Sequence, residues 1–185
     1  SVTLQIGRNG RATPVAERAP VALAGSTISR ATLHNQDYID QLELAPGDLV
    51  AISKRGDVIP AVEQVLEKGE GLVWRMPERC PECDTPLEKN GAHHFCPNRN
   101  CPARQLGLLV HFAGKSGLDI DGLGEQTLRT LMDKFGITTP AALLGFEWTR
   151  LVGVEGVGEK NVAQIVHALA AARTRPLDQG LGALG

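Results

Sequence analysis

Four cysteines have the spacing that most directly predicts chemistry in this sequence. They form two close pairs, Cys80 with Cys83 and Cys96 with Cys101, with twelve residues between the pairs. Two such pairs across a short loop supply four thiolates at the spacing of a tetrahedral zinc site. Four thiolate ligands leave no open position for water or substrate, so the predicted metal is structural rather than catalytic.

Two disulfides are the alternative use of these cysteines. A disulfide closed over two intervening residues would be strained, and a cytosolic chain would be kept reduced. His93 and His94 precede Cys96 and could in principle replace one thiolate, although we expect them to be exposed loop residues. Residues 77–103 contain too few aliphatic side chains to form a core, so this segment needs a cross-link such as a bound metal ion to stay folded.

An internal repeat is the second informative pattern. Residues 120–131 and 154–165 align 34 residues apart, and each copy places an apolar residue between two glycines directly before a helix. Glycine permits positive φ and lets backbone N–H groups at a helix N-terminus approach a phosphate. We therefore expect two helix-hairpin-helix motifs that grip DNA without reading its sequence, through Gly122, Gly124, Gly156 and Gly158. Tetratricopeptide repeats or purely structural helix turns are the alternatives.

Basic residues beside the hairpins and the predicted N-terminal turns are candidates for phosphate contacts. The net charge of −2 argues against a polycation that wraps nucleic acid, yet it permits groove binding by individually placed cations. Arg11 and Arg129 are further basic residues in these regions. The residues we predict to bind DNA are Arg8, Arg30, Lys54, Arg55 and Lys160.

No catalytic residue is predicted. The sequence lacks the phosphate-binding pattern G-x-x-x-x-G-K-[ST] and paired carboxylates at an evident catalytic spacing. Asp119 and Asp121 are close together but adjoin a hairpin glycine, which is weak evidence for metal catalysis.

Short strands are expected to position the N-terminal candidates. Val2–Ile6 alternates in polarity, an Asn9-Gly10 turn follows, and residues 12–15 resume as a hairpin partner. A second predicted hairpin joins residues 49–52 to 58–65 through the turn at 54–57. Between the hairpins, Asn35 can cap a short helix that runs through Leu42 and is stopped by Pro46-Gly47. This element count indicates a small β-barrel of the OB type, with another small barrel as the alternative.

The resulting fold class is multi-domain α+β. We expect an OB-type barrel over residues 1–76, a four-cysteine zinc finger over 77–103, and an all-α helix-hairpin-helix domain over 104–185. Helical periodicity in the last segment begins at Arg104 and recurs at 125–134, 140–145 and 159–172.

Localisation follows from what the sequence lacks. It has neither a long apolar run nor the basic start and apolar stretch of a signal peptide, so we expect a soluble, cytosolic protein. The absence of an initiator Met and the glycine-rich end suggest a fragment of a longer chain.

In this order, the three predicted modules closely resemble the middle and C-terminal portion of the bacterial NAD-dependent DNA ligases. The resemblance covers nearly the full chain. Two departures from the usual family pattern are Asn9 and Lys54-Arg55, which leave the turn glycines and the cysteines in place. Besides the cysteines, the segments that carry the resemblance are Gln5–Gly10, Thr13–Ala16, Ala31–Asn35, Gly56–Pro60 and Asp119–Gly124.

The resemblance implies a clamp for nicked double-stranded DNA in an enzyme of replication and repair in the bacterial cytoplasm. It implies a structural Zn²⁺ ion in this chain, with NAD and Mg²⁺ bound mainly outside it. The adenylated lysine of the family lies in a K-x-D-G motif of another domain, which this chain would contact within the parent enzyme. Lys54, Lys115 and Lys160 are each followed by other residues, so we expect this chain alone to be inactive.

Two rival functions come from different classes. One is a free-standing, structure-specific DNA-binding protein. The other is a helix-hairpin-helix nuclease or glycosylase, in which Lys160 beside the second hairpin would be the catalytic candidate, although the barrel and the zinc finger would then be unexplained.

Overall fold

The computed structural model describes residues 1–23, 25–54 and 59–174. It divides the chain into two compact units, Ser1–Cys101 and Pro102–Gly185. The first unit contains the β-structure and all four cysteines, and the second is helical. Arg55, Gly56 and Asp57 of the turn predicted at 54–57 lie outside the described residues.

The first unit is built on a mixed sheet. Within the described residues the strands follow the order β4-β5-β3-β2-β7-β6, while β1 pairs with β2. The pairing of β3 with β5 is parallel, and the other pairs are antiparallel. The strands are β1 (Val2–Ile6), β2 (Arg11–Leu23), β3 (Ser26–Thr32), β4 (Leu49–Ser53), β5 (Ala61–Glu67), β6 (Glu88–Asn90) and β7 (His93–Phe95).

The first predicted hairpin is present, with a longer second strand than the pattern indicated. Gly10 has φ 84° and donates its N–H to the carbonyl of Gly7, which closes the turn between β1 and β2. Strand β2 continues past Val15 to Leu23, and its pairing with β3 shifts register between Glu17 and Val21. This irregularity accommodates Pro20, whose missing N–H would otherwise interrupt a regular ladder.

The second predicted hairpin pairs β4 with β5. Strand β5 begins at Ala61, because Pro60 cannot donate to the ladder, and the predicted start at Val58 lies outside the described residues. The carbonyl of Pro60 instead accepts a hydrogen bond from the N–H of Thr32 in β3.

The predicted short helix is α1 (Gln36–Leu42). Asn35 caps it as expected, because Asn35 Oδ1 accepts a 2.9 Å hydrogen bond from the N–H of Tyr38. Glu43 takes the left-handed conformation that ends the helix, three residues before the predicted stop at Pro46. One face of α1 packs on the sheet in a core formed by Ala31, Leu33, Ile39, Leu44 and Val62.

The hairpin β6–β7 joins the zinc-finger segment to this sheet. Arg11 pairs with Phe95 and Ala12 with His94, so β7 extends the edge of β2. The expectation that His93 and His94 are exposed loop residues is therefore wrong. Both are half-buried in β7, where His93 pairs with Asn90 of β6 and His94 pairs with Lys89 of β6 and Ala12 of β2.

The second unit consists of helices around one apolar core. The helices are α2 (Pro102–Ala113), α3 (Glu125–Phe135), α4 (Pro140–Leu144) and α5 (Glu159–Ala172), with a 3₁₀ turn at Trp148–Leu151. Leu109, Leu128, Leu131, Leu143 and Ile165 are fully buried. Among the described residues, no helix has the length and apolarity needed to cross a membrane.

Candidate metal centre and nucleic-acid interface

The four cysteine sulfurs converge on one point. All four Sγ atoms lie within 4.8 Å of one another. The Sγ atoms of Cys80 and Cys101 are 3.9 Å apart, and those of Cys83 and Cys96 are 3.5 Å apart. Sulfurs at about 2.3 Å from a tetrahedral Zn²⁺ would be separated by roughly 3.8 Å, so the donor set fits zinc. None of the four cysteines forms a disulfide, which excludes the disulfide alternative in this structure.

Backbone hydrogen bonds shape the turn between the first two cysteines. The N–H of Cys80 donates to the carbonyl of Thr85, and the N–H of Asp84 donates to the carbonyl of Cys80, both at 2.9 Å. Asp84 has φ 59°, a conformation that aspartate tolerates better than most residues. This turn reverses the chain and brings the Sγ atoms of Cys80 and Cys83 close together.

The pKa values of two thiols indicate why the cluster suits a cation. The hydroxyl of Thr85, 3.2 Å from Cys83 Sγ, stabilises the thiolate and lowers the pKa of Cys83 to about 6. Burial raises the pKa of Cys96 to about 12. Cys83 thus favours its thiolate form, whereas burial opposes ionisation of Cys96 without a compensating cation. A coordinated zinc ion would supply that charge and favour the thiolate form of its ligands, so these residues would hold a closed, structural zinc.

The two predicted hairpins have matching backbone geometry. Gly122 has φ 83° and Gly156 has φ 84°. Gly124 and Gly158 are the N-cap residues of α3 and α5, with φ −83° and −84°. The apolar residue between each pair of glycines is buried, as expected of a plug between helices: Leu123 in the first copy and Val157 in the second.

The surroundings of the two hairpins differ. A Cβ atom at Gly122 would lie 2.9 Å from Asn161 Oδ1 and 3.3 Å from a side-chain carbon of Ile165. Asp121 also accepts a hydrogen bond from the Gln164 amide, so the first hairpin is packed against α5. At Gly124, Gly156 and Gly158, an added Cβ would meet nothing within 4 Å among the described residues. Both N-cap glycines and Gly156 are therefore open, whereas Gly122 is packed.

The first turns of α3 and α5 carry charges of both signs. Glu125 and Glu159 occupy the first position of their helices. Glu125 pairs with Arg129 at 3.0 Å. Lys160 is exposed next to Glu159 and supplies the positive side chain at the second hairpin.

The predicted basic residues of the first unit occupy different settings. Arg8 is half-buried in the turn between β1 and β2. Arg30 is exposed on β3 and lies 3.8 Å from the Glu17 carboxylate. Lys54 Nζ donates a 3.1 Å hydrogen bond to Ser26 Oγ. Arg11 is not among the predicted DNA-binding residues, because its place beside a predicted turn does not distinguish it from other basic residues. In the structure it lines two adjacent recesses of this unit.

Comparison with known protein families agrees with this architecture. Residues 1–71 match the NAD-dependent DNA ligase OB-fold domain, and residues 79–103 match the NAD-dependent DNA ligase C4 zinc finger domain. Residues 118–171 match the SAM-like helix-hairpin-helix tandem.

Curated relatives carry the name DNA ligase. The chain is 38% identical over 185 residues to the DNA ligase of Borrelia garinii subsp. bavariensis and 41% identical over 184 residues to that of Borrelia duttonii. It is 37% identical over 190 residues to the DNA ligase of Synechococcus sp. (strain JA-3-3Ab). Each match covers 100% of this chain and 28% of the relative. The chain thus contains segments that match the OB-fold and C4 zinc finger domains of the NAD-dependent DNA ligases, followed by a segment that matches a helix-hairpin-helix tandem.

Proposed function

We propose that this chain is the DNA-binding, nick-clamping portion of an NAD-dependent DNA ligase. The parent enzyme would seal nicks between a 5′-phosphate and a 3′-hydroxyl, with NAD as adenylate donor and Mg²⁺ as the second cofactor. The chain spans 28% of the length of its relatives, and the proposal assigns it the grip on DNA rather than the covalent steps.

The repeated hairpin geometry is the observation that carries this proposal. The N-cap glycines Gly124 and Gly158 leave the first backbone N–H groups of α3 and α5 without a side-chain cap. Such N–H groups bind phosphate oxygens well, because the helix dipole also favours negative charge there. Contacts of this kind hold duplex DNA by its backbone and do not depend on base sequence.

We assign one role to each of three modules. Residues 1–76 would close on the duplex beside the nick through Arg8, Arg30, Lys54 and Arg55. Residues 77–103 would hold the zinc ion through Cys80, Cys83, Cys96 and Cys101. Residues 104–185 would grip the minor groove through Gly122, Gly124, Gly156, Gly158 and Lys160. Because Gly122 is packed against α5, its role would be to shape the hairpin, whereas the other three glycines would approach the phosphates.

The chemistry would belong to another part of the parent enzyme. We assign no catalytic residue to this chain, and we expect it alone not to seal nicks. Its partners would be nicked double-stranded DNA and the adenylation domain of the same polypeptide, in the bacterial cytoplasm.

A domain replacement tests the proposal. The matching segment of the Borrelia garinii DNA ligase is exchanged for this chain, and sealing of a nicked duplex is measured alongside a variant that lacks the segment. We expect the chimera to seal nicks and the deletion variant to fail. A folded chimera that binds zinc but seals no better than the deletion variant would contradict the proposal.

A further inference from the structure

A polar recess in the first unit has no role in the function described so far. It has a volume of about 510 Å³ and lies between the start of β2, the loop from β3 to α1, α1 itself and β7. Its lining includes Arg11, Thr13, Thr32, His34, Gln41 and His93. We propose that this recess binds a phosphate group, and that in the parent enzyme the group is a backbone phosphate of the DNA. The second half of the inference rests on the proposed function.

The charges of the recess favour an anion. Arg11 is exposed, and its side chain has no ion pair or hydrogen bond within the described part of the chain. The carboxylate that lines the recess belongs to Asp37, which lies 3.8 Å from Lys89 Nζ. Lys89 thus balances the negative charge of Asp37, and the Arg11 guanidinium remains free to bind a phosphate with two parallel hydrogen bonds.

Two hydroxyl groups supply further donors. Residues alternate between the faces of a strand, so Thr13 lies on the same face of β2 as Arg11. Thr32 Oγ1 accepts a 3.1 Å hydrogen bond from the N–H of His34, and its own hydroxyl hydrogen is left to donate. Arg11, Thr13 and Thr32 therefore offer one guanidinium and two hydroxyl groups, which suit one tetrahedral anion.

The loop from β3 to α1 holds His34 in an exposed position. Leu33 before it is fully buried, and Asn35 after it caps α1. His34 has φ 61°, and its ring meets the Tyr38 ring edge-on with centroids 4.8 Å apart. A non-glycine residue with positive φ costs free energy that the fold must supply elsewhere. Its anchored neighbours maintain that conformation and keep the imidazole at the mouth of the recess.

The recess continues a surface that already contains a predicted DNA contact. A neighbouring recess of about 310 Å³ is lined by Gln5, Gly7, Arg30 and Ile59, and it shares Arg11, Thr13 and Thr32 with the first. A DNA strand that lies beside Arg30 would therefore pass Arg11 and reach the recess between the sheet and β7. This continuity favours a phosphate of a polymer over a free anion.

Two probes and matched variants test the inference. Affinity of the full chain for a nicked duplex is measured across a salt series for the wild type, Arg11→Gln, His34→Ala and the control Arg75→Ala. Arg75 is an exposed arginine that pairs with Asp40 and lines neither recess. In parallel, inorganic phosphate is titrated while the NMR signals of the His34 and His93 rings are followed. Zinc content and circular dichroism confirm that every variant is folded.

We expect Arg11→Gln to weaken duplex binding about tenfold, as for loss of a charged hydrogen bond, and to reduce the salt slope by about one ion. His34→Ala should weaken binding less, and Arg75→Ala should match the wild type. Ring signals that shift with duplex but not with inorganic phosphate would identify the polymer as the source of the phosphate. Shifts with both probes, lost in Arg11→Gln, would show that the recess accepts the free anion as well.

Failure of this inference is distinguishable from failure of the proposed function. If the wild type binds the duplex and Arg11→Gln retains its affinity and salt slope, the recess is not a phosphate site and the clamp remains. If the wild type does not bind the duplex, but phosphate still shifts the recess signals in an Arg11-dependent way, the proposed function fails and the anion site stands. Absence of both effects overturns both.

Discussion

The backbone N–H of Cys96 donates a 2.7 Å hydrogen bond to the carbonyl of Gly10. Gly10 closes the turn that contains Arg8, and Cys96 is one of the four clustered cysteines. The bond therefore connects the metal centre directly to a loop that we propose to contact DNA. Together with the pairing of β7 on β2, it makes the state of the metal site relevant to the DNA-binding surface.

Replacing Cys83 should release zinc and weaken the junction between β7 and β2, which includes the hydrogen bond from Cys96 to Gly10. Cys83→Ala removes one of four ligands, and structural zinc contributes on the order of 10 kcal/mol to the folding of small zinc domains. We expect loss of bound zinc and faster amide hydrogen exchange at β6 and β7, while β4 and β5 remain protected. Glu82→Ala, at the exposed neighbouring position, is the control and should retain one zinc ion per chain. Unchanged exchange at β7 in a zinc-free variant would show that the metal does not support the junction.

The two hairpin glycines with positive φ offer a matched comparison of stability. Alanine at Gly122 or Gly156 incurs a similar backbone penalty of about 1 kcal/mol, because their φ angles are nearly equal. Only at Gly122 would the new Cβ also meet Asn161 Oδ1 at 2.9 Å. Because Asn161 Oδ1 is the end of a flexible side chain that can rotate away, we expect Gly122→Ala to lower the free energy of unfolding by up to about 1 kcal/mol more than Gly156→Ala. Equal losses in urea denaturation would mean that α5 does not pack against the first hairpin as described.

Alanine at an N-cap glycine should separate binding from stability. Gly158 has negative φ and open space, so Gly158→Ala should change the free energy of unfolding by less than about 1 kcal/mol. The added methyl group would keep a phosphate away from the N–H groups of α5, and affinity for duplex DNA should fall several-fold. Gly145→Ala, outside both hairpins, should retain the wild-type affinity. A Gly158→Ala protein that binds like the wild type would remove the second hairpin from the proposed interface.

The charge at Lys160 should be visible in the salt dependence of binding. Lys160→Ala removes one predicted phosphate contact, so the slope of log affinity against log salt should become shallower by about one ion. The loss should be similar for duplexes of unrelated sequence, because phosphate contacts carry no base information. Lys134→Ala, an exposed lysine in the last turn of α3, is the control. A sequence-dependent loss at Lys160 would indicate a base contact instead.

Asp48 should make the stability of the first unit dependent on pH. Its side chain is 1% exposed, and the burial alone would raise its pKa. Hydrogen bonds of 2.7 Å from the N–H of Gly69 and 2.9 Å from that of Ala45, with Lys68 nearby, outweigh burial and lower the pKa below 3.8. The folded state therefore favours the carboxylate. Its contribution is present in full above the unfolded pKa and is lost as the pH falls through the lower, folded pKa.

We expect Asp48→Ala to destabilise the unit by about 2 kcal/mol at neutral pH. The difference between wild type and variant should shrink when unfolding is measured in increasingly acidic buffer below pH 3.8. Both proteins lose zinc to protons under these conditions, so comparing them isolates the carboxylate. A difference that stays constant with pH would contradict the assigned cause.

Local patterns were sufficient to predict the metal centre and the hairpins. The spacing of Cys80, Cys83, Cys96 and Cys101 alone predicted the cluster, because its ligands come from two short turns. The positive φ of Gly122 and Gly156 likewise followed from a repeat that is local in sequence. The cap at Asn35 was predicted because its partner lies three residues away.

Long-range relationships could not be predicted in this way. The pairing of β7 with β2 joins residues more than 80 positions apart, so no periodicity indicates it, and that pairing places His94 opposite Ala12. Similarly, Gly122 packs against Asn161 and Gly156 has no such neighbour, although the two hairpins look equivalent in sequence. Arg11 gained its significance only from the recesses that the fold builds around it.

The most direct test of the account is a titration of the zinc-loaded chain with nicked and intact duplexes of two unrelated sequences across a salt series. We predict tighter binding to the nicked duplex, little dependence on sequence, a steep loss of affinity with salt, and about one zinc ion per chain in the same sample. A folded, zinc-loaded chain that binds neither duplex at low salt would contradict the assignment of these hairpins and basic residues to a DNA clamp.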